Sequence, residues 1–402
     1  MNKSKYLFGN RIFKLLIIAG IFAVLGFSMF LTTTTWYAVS RLGSPGALGL
    51  ILIAITVPRI LMMAFGGVFA DKYKKTTIMF STNLFQGILL LTLFSLLFTN
   101  NLNLVWLLIL SGLFGTLDAF FGPASSSMIP KIVEKTQLQQ ANAYFQGVDQ
   151  LAFIGGPIIA GIVMQVASVE LSYLIATILV FLSAIFVFPP LIKEDAVEDI
   201  GRATPIQNFK EGFSYIRQNR FLSVGICVLI TMNFFVFGAL HVAIPIIVEL
   251  FNGTPINLSI LESAQMIGML LSTMILSFVN VNKKGLVSVL GLFGSIMAAI
   301  FFSQVSDLTV LTVVVFFIGF TMSFVYIPFF TAAQEQTNNR LMGRVMSIIF
   351  LAMNGFDPIA YGIVSTLNTM GINIQTVLLA FALLGLLITI FITFKAKNYV
   401  RN

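Results

Sequence analysis

Twelve apolar stretches, each long enough to cross a bilayer as a helix, follow one another along this chain with short polar breaks between them. Hydrocarbon offers no water to backbone N–H and C=O groups, so a lipid-facing segment of about 20 residues has to satisfy them within itself, as a helix. The stretches fall near residues 13–37, 47–69, 76–98, 105–128, 141–166, 171–189, 221–247, 258–280, 286–305, 308–330, 345–367 and 372–394. Of 402 residues, 58% are hydrophobic and 9% charged, against about 25% charged in an ordinary soluble domain. The chain therefore reads as an all-α membrane protein. Its basic start, Met1 to Lys14, leads into an apolar run without a small-residue cleavage site, which makes that run a first span and not a signal peptide. One Cys (Cys227) and one His (His241) exclude an intrachain disulfide and a Cys- or His-rich metal site, so neither metal nor other cofactor is implied.

A net charge of +8 would suggest nucleic acid in a soluble protein, so the position of the charges decides its meaning. When twelve spans are crossed in turn, all 23 Lys and Arg except Arg41 and Arg59 fall on the side of the N-terminus. Arg41 lies opposite, and Arg59 lies within the second span. By the positive-inside rule both termini are cytoplasmic. The basic balance is membrane topology, and no nucleic-acid partner is needed.

The longest polar stretch, residues 193–220, divides the spans six and six, giving bundles at 1–192 and 221–402. Within it Phe209, Phe213 and Ile216 alternate with Lys210, Arg217 and Arg220 at helical spacing, which predicts a short amphipathic helix at the cytoplasmic interface. The halves repeat each other. Lys74-Lys75 after the second span recur as Lys283-Lys284 after the eighth. Gly156-Pro157-Ile158-Ile159-Ala160-Gly161 in the fifth span recurs as Asp357-Pro358-Ile359-Ala360-Tyr361-Gly362 in the eleventh, and Pro123 in the fourth as Pro328 in the tenth. Duplicated bundles allow one half to rock against the other around a central site.

At these residues the chain resembles a family. Gly67-Val68-Phe69-Ala70-Asp71-Lys72-Tyr73-Lys74-Lys75 resembles the loop signature of the major facilitator superfamily, although Lys74 stands where that signature has Gly. Gly155, Gly156, Pro157 and Gly161 resemble the fifth-helix signature of its drug:proton antiporters. Phe251-Asn252-Gly253-Thr254-Pro255-Ile256, Phe209-Lys210-Glu211-Gly212 and Gly343-Arg344-Val345 resemble its macrolide-efflux branch, which also holds siderophore and peptide-antibiotic exporters of bacteria. The resemblance implies a cytoplasmic gate in which Asp71, with Gly67, Lys72 and Lys75 around it, pairs with Arg344. It also implies export against proton influx. Phe114 or its neighbours stand where many such exporters carry an Arg on the fourth helix, which leaves Arg59 as a substitute.

Ionisable groups inside the spans are the most informative residues: Arg59, Asp118, Asp149, Glu262 and Asp357. A charge at mid-bilayer costs about 2.5–3.5 kcal/mol even on insertion scales, so such groups face a cavity or a partner. Arg59 lies 12 residues from Asp71, Asp118 lies 13 from Lys131 and Asp357 lies 13 from Arg344. At 1.5 Å per residue all three sit about 18–20 Å deep. Arg59 can then meet Asp357, the favoured pairing, or Asp118. A carboxylate without a fixed partner can carry a proton between aqueous faces. For that role Asp149 ranks first, then Asp357, then Glu262, with Asp118 as a structural acid.

Trp36, Tyr37, Phe120, Phe121, Asn233, Phe234, His241, Phe324 and Tyr326 lie on the spans expected to line a cavity. Aromatics with few polar anchors suit bulky amphiphilic ligands held by contact area. No Gly-rich loop followed by Lys and Ser or Thr occurs, so ATP is not the energy source within the chain. With what the resemblance implies, the expectation is a monomeric, multi-pass exporter of amphiphilic small molecules in a bacterial cell membrane, driven by protons and working by alternating access. The alternatives are a dedicated exporter of an endogenous siderophore or peptide, or a lipid flippase. A membrane enzyme is least supported, since no nucleophile and base stand together.

Overall fold

The structure is a computed structural model describing residues 7–134, 137–192, 194, 205–279, 281–338, 341–396 and 399. Residues 64–72, which include Gly67, Asp71 and Lys72, are described as helical backbone only, as are 139 and 205–208. Among the described residues 12 helices have the length and apolarity to cross a membrane.

The first six spans are α1 (Arg11–Ser40), α2 (Pro45–Lys72), α3 (Lys75–Phe98), α4 (Leu104–Ile132), α5 (Leu138–Val166) and α6 (Val169–Phe186). A linker helix, α7 (Pro205–Gln218), follows at the position where the amphipathic pattern places one. The seventh span is two helices, α8 (Arg220–Met232) and α9 (Gly238–Leu250), joined by a π-helical turn over Asn233–Phe237. After α10 (Pro255–Phe278), α11 (Lys284–Phe302) and α12 (Leu308–Gln336), the eleventh span is also split, into α13 (Met342–Asn354) and α14 (Asp357–Thr369). The last span is α15 (Ile374–Lys395). Short polar side chains start several of these helices. Asn10, Asn103, Ser168, Asn219, Asp307 and Asn373 each accept hydrogen bonds from first-turn N–H groups that have no carbonyl partner.

The chain forms two compact units, one of Met1–Leu42, Leu50–Ile200 and Thr254–Ser259, the other of Gly43–Gly49, Gly201–Gly253 and Ile260–Asn402. In the first, α1 packs on α5 and α6, while α3 packs on α4 and α6. In the second, α9 packs on α14 and α15, while α11 packs on α12 and α15. The same neighbour pattern therefore occurs twice. It is held by matching close approaches: a Cβ on Gly115 of α4 would lie 2.1 Å from the Ile55 carbonyl oxygen of α2, and one on Gly319 of α12 would lie 2.0 Å from that of Gln265 on α10. Small residues let helix backbones meet where hydrocarbon supplies no hydrophobic driving force.

Polarity is turned inward. Leu61, Phe85, Leu387 and Phe394 are exposed on the outer surface, whereas the run Thr32 to Thr35 is buried in α1. There Thr33 shares a 2.6 Å hydrogen bond with Ser172, and Thr34 shares one of 2.9 Å with Tyr173. Asn83 donates to Ser183 at 2.6 Å, and Ser183 donates to the Ala19 carbonyl at 2.7 Å. Gly115→Val and Gly319→Val force branched side chains into backbone carbonyls. Each is expected to destabilise its unit by about 1–3 kcal/mol or more, read as a lower melting temperature of the purified protein in detergent, whereas Leu387→Val on the outer surface leaves it unchanged.

Candidate functional site

In the first unit the intramembrane cation is paired. Arg59 Nε of α2 lies 2.9 Å from Asp118 Oδ2 of α4, and its guanidinium carbon lies 4.9 Å from the centre of the Phe27 ring of α1. Of the two partners open to Arg59, the structure therefore takes Asp118 and not the favoured Asp357. α2 and α4 cross tightly at Gly115, three residues before Asp118, which brings the two side chains to one level. Gln86 of α3 lies beside the same carboxylate. Phe27 and Phe30 stack on Phe114, at 6.0 and 4.3 Å between ring centres, so the aromatic standing near the expected fourth-helix Arg builds the apolar wall of this ion pair.

Asp149 of α5 is different. It is half-buried and has no ion-pair partner among the described residues. Gly20 of α1 faces it, since a Cβ there would lie 3.9 Å from Asp149 Oδ1. Farther along α5 the close packing becomes tighter: a Cβ on Gly156 would lie 1.8 Å from Ser28 Oγ, and one on Gly161 would lie 1.9 Å from Ser259 Oγ. Gly155 meets Leu25 at ordinary contact distance. α5 runs unbroken through Pro157.

The second unit brings three of the sequence-predicted residues together, Tyr326, Asn233 and Asp357. Tyr326 of α12 donates to Asn233 Oδ1 at 3.0 Å, and Asn233 Nδ2 donates to the Leu229 carbonyl at 2.9 Å. Asp357, 3% exposed, is close enough to act electrostatically on Tyr326, and its Oδ1 is buried without a hydrogen-bond partner among the described residues. Gly238, just past the π turn, sits against Ala360 and the Asp357 backbone. His241 Nδ1 lies 3.2 Å from the Phe237 carbonyl, with its ring between Phe237 and Tyr361.

Both helix irregularities of this unit adjoin the carboxylate. The eleventh span reads as one continuous helix in sequence, yet it breaks at Gly355 and Phe356 and restarts with Asp357-Pro358. Pro358 lacks an N–H and disfavours helix at the residue before it, and a Gly three positions upstream gives the chain room to re-aim. Gly-x-Asp-Pro was the available signal. Asp357 consequently stands in a first turn, where free N–H groups favour a negative charge. The π turn had no signal, because Asn233-Phe234-Phe235-Val236-Phe237 fits an α-helix equally well.

The remaining cavity candidates disperse. Trp36 and Tyr37 are buried near the end of α1. Phe120 and Phe121 are half-buried on α4, Phe121 against a cluster that includes Phe13, Met79 and Met128. Phe234 stacks on Phe381 at 5.6 Å, and Phe324 lies 5.4 Å from Phe320. Glu262 is half-buried on α10.

At the lysine-bearing end, Arg344 pairs with Glu211 of the linker helix, while the Asp71 side chain lies outside the described residues. Lys75, nearly buried, reaches a carboxylate that sequence reasoning missed. Glu194, 1% exposed, has Lys75 Nζ at 3.6 Å and Lys131 Nζ at 3.7 Å, and accepts from both N–H and hydroxyl of Thr76 at 3.1 Å. It reads as one of several charges in a polar linker, and nothing local marks it as buried. The second unit has an exposed counterpart, Lys284 with Glu335.

Among the described residues Asp118 and Glu194 are therefore paired with cations, while Asp149 and Asp357 have no ion partner, the latter beside the ring of Tyr326. A sequence model described as Major Facilitator Superfamily matches residues 16–356. The chain belongs to the Major Facilitator Superfamily. It is 26% identical to macrolide efflux protein A of Streptococcus pyogenes over 81% of each chain, and 23% identical to the staphyloferrin A transporter of Staphylococcus aureus over 94% of this chain and 95% of that one. The crystal structure of the nucleoside transporter NupG superposes with a TM-score of 0.71 at 14% identity, covering 95% of this chain and 98% of the other, which shows the shared fold. This superfamily member is a multi-pass cell-membrane transporter, with the 12 spans that role needs.

Two of the ion-pair clusters at the lysine-bearing end, those of Glu194 and Glu335, make a contrasting test. Glu194→Gln leaves two lysines around a neutral buried amide and is expected to cost about 3–5 kcal/mol, seen as a clear fall in melting temperature. Glu335→Gln, at a side chain 58% exposed, is expected to cost about 0–1 kcal/mol and leave the melt nearly unchanged.

Proposed function

We propose that this transporter exports bulky amphiphilic compounds, macrolide-like in size, in exchange for protons. The observation that carries the reading is the pair of carboxylates left without an ion partner among the described residues, Asp149 on α5 and Asp357 at the start of α14. Asp118 is neutralised by Arg59 and suits a structural role. A transporter with no other use for a buried acid would replace it, because the ionised form is costly in this environment. A carboxylate that takes a proton from the outer side and releases it to the cytoplasm as the ligand binds supplies both the cost and the coupling. The aromatic setting of Asn233, Tyr326, Phe234 and His241 supports a ligand held by area, with few hydrogen bonds.

The lysine-bearing end is read as cytoplasmic by the positive-inside rule, with both termini there. The six-span halves at 1–192 and 221–402 rock as bodies, and one chain suffices. Arg344 is the cation of the gate, shared between Asp71 when the cytoplasmic side is shut and Glu211 when it is not. Such exchange biases a two-state equilibrium by the difference between the two pairs. A second reading, export of a single endogenous product such as a siderophore, is favoured by the near end-to-end match to the staphyloferrin A transporter.

Flux of macrolides and fluorescent amphiphiles into inside-out vesicles, with and without a proton gradient, tests the reading. Gradient-driven accumulation is expected in the native chain and is abolished by Asp149→Asn or Asp357→Asn, while both variants still bind ligand. Asp71→Asn slows flux without uncoupling it. Active accumulation retained in both Asp variants removes the carboxylates from the mechanism.

A further inference from the structure

Beside the start of the seventh span, the second unit has an apolar groove of about 510 Å³. Phe209 and Phe213 of α7 form one wall, Ile226 and Ile230 of α8 another, and Leu351 of α13 a third, with Arg217 at the rim. The walls are fixed. A Cβ on Gly212 would meet Ile348 at 2.9 Å and the Arg344 backbone at 3.1 Å, so α7 is seated directly on α13. Ser223 donates to the Ile216 carbonyl at 2.7 Å, and Tyr215 to that of Gln336 at 2.6 Å, which hold both ends of the corner. Yet Phe209 and Phe213 stay 47% and 52% exposed, stacked on each other at 6.2 Å.

The cations near this groove differ in their engagement. Arg344 is paired with Glu211, and Arg220 donates to the Lys395 carbonyl at 3.2 Å. Arg217 is exposed and has no carboxylate within ion-pair distance among the described residues. An apolar slot therefore opens beside a guanidinium without a counter-ion among the described residues, at the level where the seventh and eleventh spans begin. A guanidinium binds phosphate through two parallel N–H bonds, and an amphipathic helix at this depth lies along the boundary between headgroups and chains.

We propose that this groove binds an anionic phospholipid, with an acyl chain between α7, α8 and α13 and the phosphodiester against Arg217. The occupant is a lipid because two membrane-spanning helices and an amphipathic one wall the groove where those spans begin, and anionic because Arg217 has no carboxylate partner among the described residues. The lipid would hold the linker helix on α13, the helix that carries the gate cation Arg344. Gly355 and Phe356, which precede the proposed carrier Asp357, also line the groove, and the assignment rests on the orientation given above.

The test is native mass spectrometry of the full-length protein in mild detergent with equal phosphatidylglycerol and phosphatidylcholine of matched chains. The native protein is expected to retain phosphatidylglycerol over phosphatidylcholine by about fivefold, the effect of one basic residue near an anionic headgroup. Arg217→Gln abolishes that preference at unchanged melting temperature, and Arg217→Lys keeps most of it. Ile226→Trp fills the groove and removes the retained lipid of either kind. Equal retention of the two lipids by the native protein overturns the proposal, as does a preference that survives Arg217→Gln. Full retention after Ile226→Trp overturns it too, by placing the lipid elsewhere.

Discussion

A polar group in hydrocarbon has to find its partner inside the protein, and that requirement shapes the whole molecule. It makes every span helical, and it explains why the buried Thr run of α1 faces hydroxyls on α6 and why Asn83 and Ser183 meet between α3 and α6. It also sorts the ionisable residues. Arg59 and Asp118 satisfy it with each other, and Glu194 satisfies it with two lysines and a helix N-terminus. Asp357 Oδ1 is left without a hydrogen-bond partner among the described residues. Asn83 Oδ1, Ser111 Oγ and Tyr399 OH are likewise unpartnered there, but among these Asp357 is the one acid, and an acid that fails the general rule is where a function has to be sought.

The two units repeat a pattern of neighbours and then diverge where chemistry differs. Gly115 and Gly319 make the same close helix crossing in each. Asp357 and Pro358 occupy the repeat positions of Gly156 and Pro157, yet the first half runs an unbroken α5 there and the second half breaks. The physical difference is local: Gly355 and Phe356 loosen the turn before Pro358, whereas Ile154 and Gly155 continue the helix. The break places Asp357 at a helix start beside the π turn of the seventh span, so two weakened helices adjoin one carboxylate. Breaks of this kind are tolerated at membrane depth where the backbone is buried in protein or lines a cavity.

Much of this was legible in sequence. Length and apolarity of the runs fix twelve spans because hydrocarbon permits no other lipid-facing backbone, and the signature after the second span marks the family. The amphipathic spacing of Phe209, Phe213 and Ile216 located the linker helix. What was not legible depends on side-chain geometry between helices. Depth along the chain placed Arg59, Asp118 and Asp357 at one level but carried no information about which faces meet, so the partner of Arg59 went to the less favoured alternative. Glu194 was missed because burial of a charge at a helix end is decided by three distant segments. The π turn was missed because one extra residue in a turn leaves the hydrophobic pattern unchanged.

Competition between ligand and proton for a buried carboxylate is the core of the proposed mechanism, and linkage makes it directly measurable. Purified protein in weakly buffered detergent is titrated with a macrolide at several pH values while the free proton concentration is followed. Competition requires that binding release protons and that affinity rise with pH, since the ligand prefers the deprotonated form. Both effects should vanish when Asp149 and Asp357 are replaced together by Asn. Saturable binding with no proton release, and an affinity independent of pH in the native chain, would rule such competition out.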